Sequence, residues 1–124
     1  MRQAVHGQHV IADLWGIDPW LLRQSESTMA LLSISLKEAG FTIINMVIHN
    51  FIDGGQGFTG VILLSESHAA VHTYPEYGYL ALDIYTCGCS STERILKSVC
   101  DYLSPTNTHV RTFDRSADRV DNVK

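Results

Sequence analysis

Three short runs carry the side chains best able to do chemistry: Ser65-Glu66-Ser67-His68, His72-Thr73-Tyr74-Pro75-Glu76 and Thr86-Cys87-Gly88. A serine hydroxyl is a weak nucleophile unless a base takes its proton, and a histidine five residues on is a base that titrates near neutral pH. A cysteine thiol can hold and deliver a proton in the same range of reactions. Taken singly these residues have plainer readings: a half-buried serine, a surface histidine, and small core hydrophobes at Cys87 and Cys100. A zinc site from His68 with His72, or from Cys87 with Cys89, is rejected on geometry. On a strand, residues four apart are separated by about 13 Å, too far to share a metal with bonds near 2 Å.

It is the order of the three runs that is specific. Glu66-Ser67-His68, then His72-Thr73-aromatic-Pro75-Glu76, then Thr86-Cys87-Gly88 resembles the core of the bacterial S-adenosylmethionine decarboxylases, with looser likeness from His6 to about Phe113. The resemblance implies a chain that cuts itself between Glu66 and Ser67, giving residues 1–66 and 67–124. The Ser67 hydroxyl attacks the Glu66 carbonyl to form an ester, elimination releases the Glu66 carboxylate and leaves an amino-terminal dehydroalanine, and water hydrolyses that, with loss of ammonia, to a pyruvoyl group, the covalent cofactor, in place of Ser67. It also implies that His72 assists processing, that the pyruvoyl ketone condenses with the substrate amine, and that Cys87 returns a proton to the decarboxylated carbon. The implied product feeds spermidine synthesis.

Substrate contacts carry over less directly. Thr59 fills the Ser/Thr position of a Gly-x-Ser/Thr-Gly segment, Glu76 is an implied substrate-binding residue, and Tyr74 stands where many members have Trp. The aromatic residue that stacks on adenine is expected six places before Thr59, but that place holds Asp53, and Phe51 lies eight back. The glycine-rich loop Asp53-Gly54-Gly55-Gln56-Gly57 leaves two readings: Phe51 swings in to stack on a base, or Asp53 offers a carboxylate to a cationic side chain such as that of ornithine or arginine. S-adenosylmethionine is the first choice of substrate and those amino acids the second. A ligand-binding dimer without catalysis is a further alternative. By itself the loop reads as a connector rather than a phosphate cradle.

The elements that must position these groups follow from pattern. His6 to Trp15 reads as a strand, stopped by Gly16 and by Asp18-Pro19, which suits the opening of a helical turn. Ser25 to Ala39 carries Met29, Leu32 and Leu36 at near-helical spacing and meets Gly40, a stop signal. Phe41 to Phe51 and Phe58 to Leu64 are strands apolar on both parities. Ala69 to Tyr74 and Tyr79 to Thr86 form a hairpin through Pro75-Glu76-Tyr77-Gly78. Ser90-Ser91-Thr92-Glu93 has capping-box spacing ahead of an apolar stripe at Ile95, Leu96, Val99 and Leu103, and Pro105 follows. A last strand is expected at His109 to Phe113, with a polar tail behind it.

That order, β-α-β-β-β-β-α-β, predicts an α+β two-layer sandwich in which two helices cover one face of an antiparallel sheet. Pairing Tyr74 with Tyr79 puts His72 opposite Ala81 and Glu66 opposite Cys87, and one register step would put Ser67 there, so that either way the thiol lies beside the Glu66–Ser67 peptide. His72 then shares a face with Cys87 several residues away, while Ser67 has the opposite parity. Bringing the three together needs a bulge, or a break at Ser67.

Composition bounds the partners. The 124 residues suit one domain, 1–124, and a net charge of −4 with nine unclustered Lys and Arg gives no footprint for nucleic acid or an anionic membrane. Three cysteines, an odd number, argue against a disulfide framework and for a reducing, cytoplasmic setting. A small amino-acid-type substrate fits. The apolar second face of the sheet, with no third helix to cover it, predicts a homodimer.

Overall fold

In a computed structural model, residues 7–65, 67–87 and 92–116 are described. The chain runs β1 (Gly7–Trp15), α1 (Pro19–Leu22), α2 (Ser25–Glu38), β2 (Ile43–Asn50), β3 (Phe58–Leu64), β4 (Ser67–Tyr74), a 3₁₀ turn (Pro75–Tyr77), β5 (Tyr79–Thr86), α3 (Glu93–Leu103) and β6 (Asn107–Arg115). All six strands form one antiparallel sheet in the order β2-β3-β4-β5-β1-β6. The helices lie on one face of it. This is the expected two-layer α+β sandwich, with the short α1 added to the two longer helices.

Local signals explain the ends of the elements. The Asp18 carboxylate accepts from the Trp20 amide at 2.9 Å, capping α1 with Pro19 at its first position. Helix α2 ends before Gly40, whose φ of +99° suits a residue without a Cβ. Helix α3 begins one residue after Thr92, which makes no side-chain cap bond, and Ser90 and Ser91 of the expected capping box lie outside the described residues. Strand β6 is longer than the span 109–113 because its pairing with β1 runs unbroken from Asn107 opposite Trp15 to Arg115 opposite Gly7.

Alternation decides the two faces. In β5, Leu80, Leu82, Ile84 and Thr86 are buried while Tyr79, Ala81, Asp83 and Tyr85 are only partly so. The inward residues of β1, β3, β4 and β5, among them Val10, Leu14, Phe58, Ile62, Val71 and Leu82, pack with Leu22, Met29, Leu32, Leu36, Ile95, Val99 and Leu103 from the helices. This is the core. Burying side chains of that size is worth about 1.5–3 kcal/mol each, which makes it the dominant favourable term in the fold.

The second face has no such cover. Val47, Val61 and Leu63 on β2 and β3 stay 62%, 40% and 51% exposed, and they stand on the parity opposite the buried Phe58, Ile62 and Leu64. Across β4, β5 and β1 the same face carries a row of rings: Tyr74 stacks on Tyr79 at 5.5 Å, and Tyr79 on Trp15 at 4.3 Å. The Tyr79 hydroxyl donates to the Asp13 carboxylate. Burial and that neighbouring carboxylate push the Tyr79 phenol up to about 12.

Candidate active site

A cleft of about 210 Å³ opens at the end of the sheet where β3 begins and β4 ends. It is lined by Phe51, Asp53, Gly55, Gly57, Thr59, His72, Thr73, Tyr74 and Glu76. Five of the candidate site residues therefore meet there, Phe51, Asp53, Thr59, His72 and Glu76, together with Tyr74. Strand pairing brings them together. Thr59 on β3 is directly opposite His72 on β4, and the Thr59 hydroxyl lies 3.1 Å from Nδ1 of the imidazole. That bond fixes the orientation of the ring.

The glycine-rich loop forms one wall. The Phe51 amide donates to the Gly57 carbonyl at 2.9 Å and the Gln56 amide to the Asp53 carbonyl at 3.2 Å, closing a compact loop whose ends stay together. Phe51 and Asp53 both reach the cleft, so the loop does not choose between them. Gly55 is required by space: a Cβ there would come 2.0 Å from the Glu76 carboxylate and 2.9 Å from the Glu76 amide nitrogen. At the far end of the loop, a Cβ on Gly57 would fall 2.2 Å from the Thr73 carbonyl oxygen.

Thr73 belongs to the second run singled out in the sequence, but sequence reasoning gives it no role. Its buried hydroxyl donates to the Leu22 carbonyl at 2.8 Å and accepts from the Phe58 amide at 3.0 Å, tying α1, the start of β3 and the end of β4 into one corner behind the cleft. No local pattern marks that role, since its partners are 51 and 15 residues away.

Ser67 and Cys87 are elsewhere. Tyr74 is paired with Tyr79, as the turn length requires, and the register continues without a shift through His72 opposite Ala81 to His68 opposite Tyr85. Ser67 starts β4 and Cys87 follows β5, exposed, at the same end of this ladder. The expected partner of Cys87, Glu66, lies outside the described residues. His72 is about 17 Å along β4 from Ser67, five residues at about 3.3 Å each. Ser67 also has the parity of the buried Ala69, Val71 and Thr73, opposite to that of His72. No bulge interrupts β4; a register shift lies in β2, between Ile43 and Asn45. A single chain thus divides the expected site, with the serine and thiol at one end of the sheet and the histidine and ligand-facing groups at the other.

The sheet order also shows what a cut at Ser67 would leave. Leu64 pairs with Ser67, so the expected junction falls where the chain reverses between β3 and β4. Strands β4 and β5 from the second piece lie between β3 and β1 of the first, and β6 flanks β1. Three strand ladders cross between the pieces.

Comparison with known proteins gives the chain its family. The family model of S-adenosylmethionine decarboxylase matches residues 8–116. The chain belongs to the S-adenosylmethionine decarboxylase family. It is 37% identical over 125 aligned positions to an S-adenosylmethionine decarboxylase proenzyme of Picrophilus torridus, covering 100% of this chain and 94% of the relative. A proenzyme of the same description from Hydrogenobaculum is 40% identical over 110 residues, 88% of this chain and 81% of the relative. The crystal structure of adenosylmethionine decarboxylase from Aquifex aeolicus superposes with a TM-score of 0.82 at 32% identity, covering 91% of this chain and 92% of that one. Membership gives the six-stranded sheet and its helical layer a family counterpart, and it sets the ligand-binding dimer without catalysis aside.

Proposed function

We propose that this member of the S-adenosylmethionine decarboxylase family is a self-processing, pyruvoyl-dependent enzyme that decarboxylates S-adenosylmethionine. The observation that carries the reading is the family match over residues 8–116, which spans both the cleft and the Ser67–Cys87 end of the sheet. The pyruvoyl group, made from Ser67 after attack on the Glu66 carbonyl, would supply a ketone for the substrate amine and an electron sink as carbon dioxide leaves. The residues fit its formation. Ser67 is half-buried at a chain reversal, and the ladders across the cut hold both pieces in place. Cys87 holds the proton for the product carbon, and its exposure at that end leaves it accessible.

We further infer a cytoplasmic homodimer in which the open sheet faces meet. The exposed Val47, Val61 and Leu63 favour such cover. So does the size of the cleft, which at about 210 Å³ falls below the roughly 300–1,000 Å³ of a complete ligand pocket. A two-fold axis between the facing sheets and running across the strands would set the cleft end of one copy over the Ser67–Cys87 end of the other. His72 then serves the Ser67 of its partner, and each dimer carries two composite sites. Among the described residues no helix is long and apolar enough to cross a membrane.

A second reading of the substrate rests on Asp53, which faces the same cleft as Glu76 and could receive the cationic side chain of ornithine or arginine. Stacking a base on a ring is worth about 1–3 kcal/mol, and hydrogen bonds to a charged group about 1.5–3 kcal/mol, so the magnitudes are alike. Side-by-side release of carbon dioxide from S-adenosylmethionine, ornithine and arginine tests the choice. Turnover of S-adenosylmethionine, weakened by Phe51→Ala, is expected. Turnover of ornithine or arginine alone, abolished by Asp53→Ala, would overturn it.

A further inference from the structure

The loop from Phe51 to Gly57 sets where Phe51 and Asp53 stand, yet its own hydrogen bonds only close it on itself. A side-chain hydrogen bond reaches it from another element. Nε of Arg23, the residue that ends α1, donates to the Gly55 carbonyl at 3.0 Å. Arg23 is not among the residues lining the cleft. Beside Gly55 stands Glu76, so close that no side chain fits between them.

We propose that Arg23 is a positioning residue for substrate binding: it fixes the Gly55 peptide beside Glu76 and so holds Phe51 and Asp53 at the wall of the cleft. The physical argument is one of anchoring. Several glycines leave the loop with many accessible backbone states, and glycine loses more conformational freedom on ordering than other residues. A charge-assisted bond to the middle of the loop removes much of that freedom before the ligand arrives, so less ordering is left to oppose binding. The anchor is itself well fixed. Arg23 donates its amide to the Trp20 carbonyl at 3.2 Å, α1 is tied to β4 through the Leu22 carbonyl and Thr73, and Ile17 beside it donates to the Gly78 carbonyl at 3.0 Å. Arg23 thereby connects the loop to the same corner that carries Tyr74 and Glu76.

The substrate readout of this inference rests on the S-adenosylmethionine reading above, so the test has a second readout that does not. Arg23→Ala and Arg23→Lys are compared with wild type for amide hydrogen exchange, for the fraction of chain cut, and for KM and kcat. For Arg23→Ala, exchange across residues 51–57 is expected to quicken by about 5–30-fold and KM to rise by a similar factor, the effect of one moderate interaction. The hairpin amides of β4 and β5, the cut fraction and kcat are expected to stay within about twofold of wild type. Lysine, which keeps a donor on a shorter reach, recovers part of the loss. Unchanged exchange in the loop, or a fall in kcat at constant KM, would overturn the proposal. Should the wild-type protein turn over no S-adenosylmethionine, that failure belongs to the substrate reading, and the loop exchange alone decides the role of Arg23.

Discussion

Two crippled chains should rescue each other if the site is shared between copies. Ser67→Ala removes the nucleophile and His72→Ala the base, and neither substitution touches the core. Within one chain the two residues are about 17 Å apart along β4 and on opposite parities, whereas proton transfer from a hydroxyl to an imidazole needs about 2.6–3.2 Å. In a mixed dimer, the intact Ser67 of the His72→Ala chain meets the intact His72 of the Ser67→Ala chain, and the opposite site lacks both. With equal expression and random pairing, half of the dimers are mixed and one site in two is whole, so activity should return to about a quarter of the wild-type level. Co-expression with two different affinity tags, tandem purification and denaturing mass analysis read this out directly. The His72→Ala chain should be cut in the mixed sample and uncut alone. If it stays uncut in the mixture, or is cut just as fully without a partner, the shared site is wrong.

Further expectations concern the corner and the aromatic row. Thr73→Val keeps the shape but strands the Phe58 amide and the Leu22 carbonyl, each an unsatisfied group costing about 1–3 kcal/mol. Chemical denaturation should show a loss of at least about 2 kcal/mol, and a loss below about 0.5 kcal/mol would contradict the role given to the threonine. Tyr79 has its phenol raised from 10.0 to about 12, so its contribution to stability is complete below pH 10 and is lost as pH rises through about 12. Thermal midpoints across that window should therefore fall less steeply for Tyr79→Phe than for wild type; parallel slopes would count against the Asp13–Tyr79 contact.

Much of the fold could be read in the sequence because its strongest signals are local. The period of Met29, Leu32 and Leu36 marks α2, the alternation through Leu80, Leu82 and Ile84 marks the buried face of β5, and the length of the Pro75–Gly78 turn fixes the β4–β5 register. The same counting shows that Ser67 and His72 differ in parity. What it misses is contact made across long separations. Thr73 binding Leu22 and Arg23 binding Gly55 leave no periodic trace, since a hydrogen bond between side chain and backbone 32 or 51 residues away constrains only one residue type at one place. Strand β6 was underestimated for a related reason. All nine of its residues are exposed, so no apolar pattern announces its ends, and its extent is set by the backbone of β1.

Self-processing at Ser67 is the claim on which the rest depends, and the mass of the purified protein under denaturing conditions tests it most directly. Two fragments are expected, residues 1–66 and a second piece beginning at position 67 with a pyruvoyl group in place of the serine, and Ser67→Ala should give only the full-length chain. A single uncut mass for the wild type after long incubation, or the same two fragments from Ser67→Ala, would contradict it.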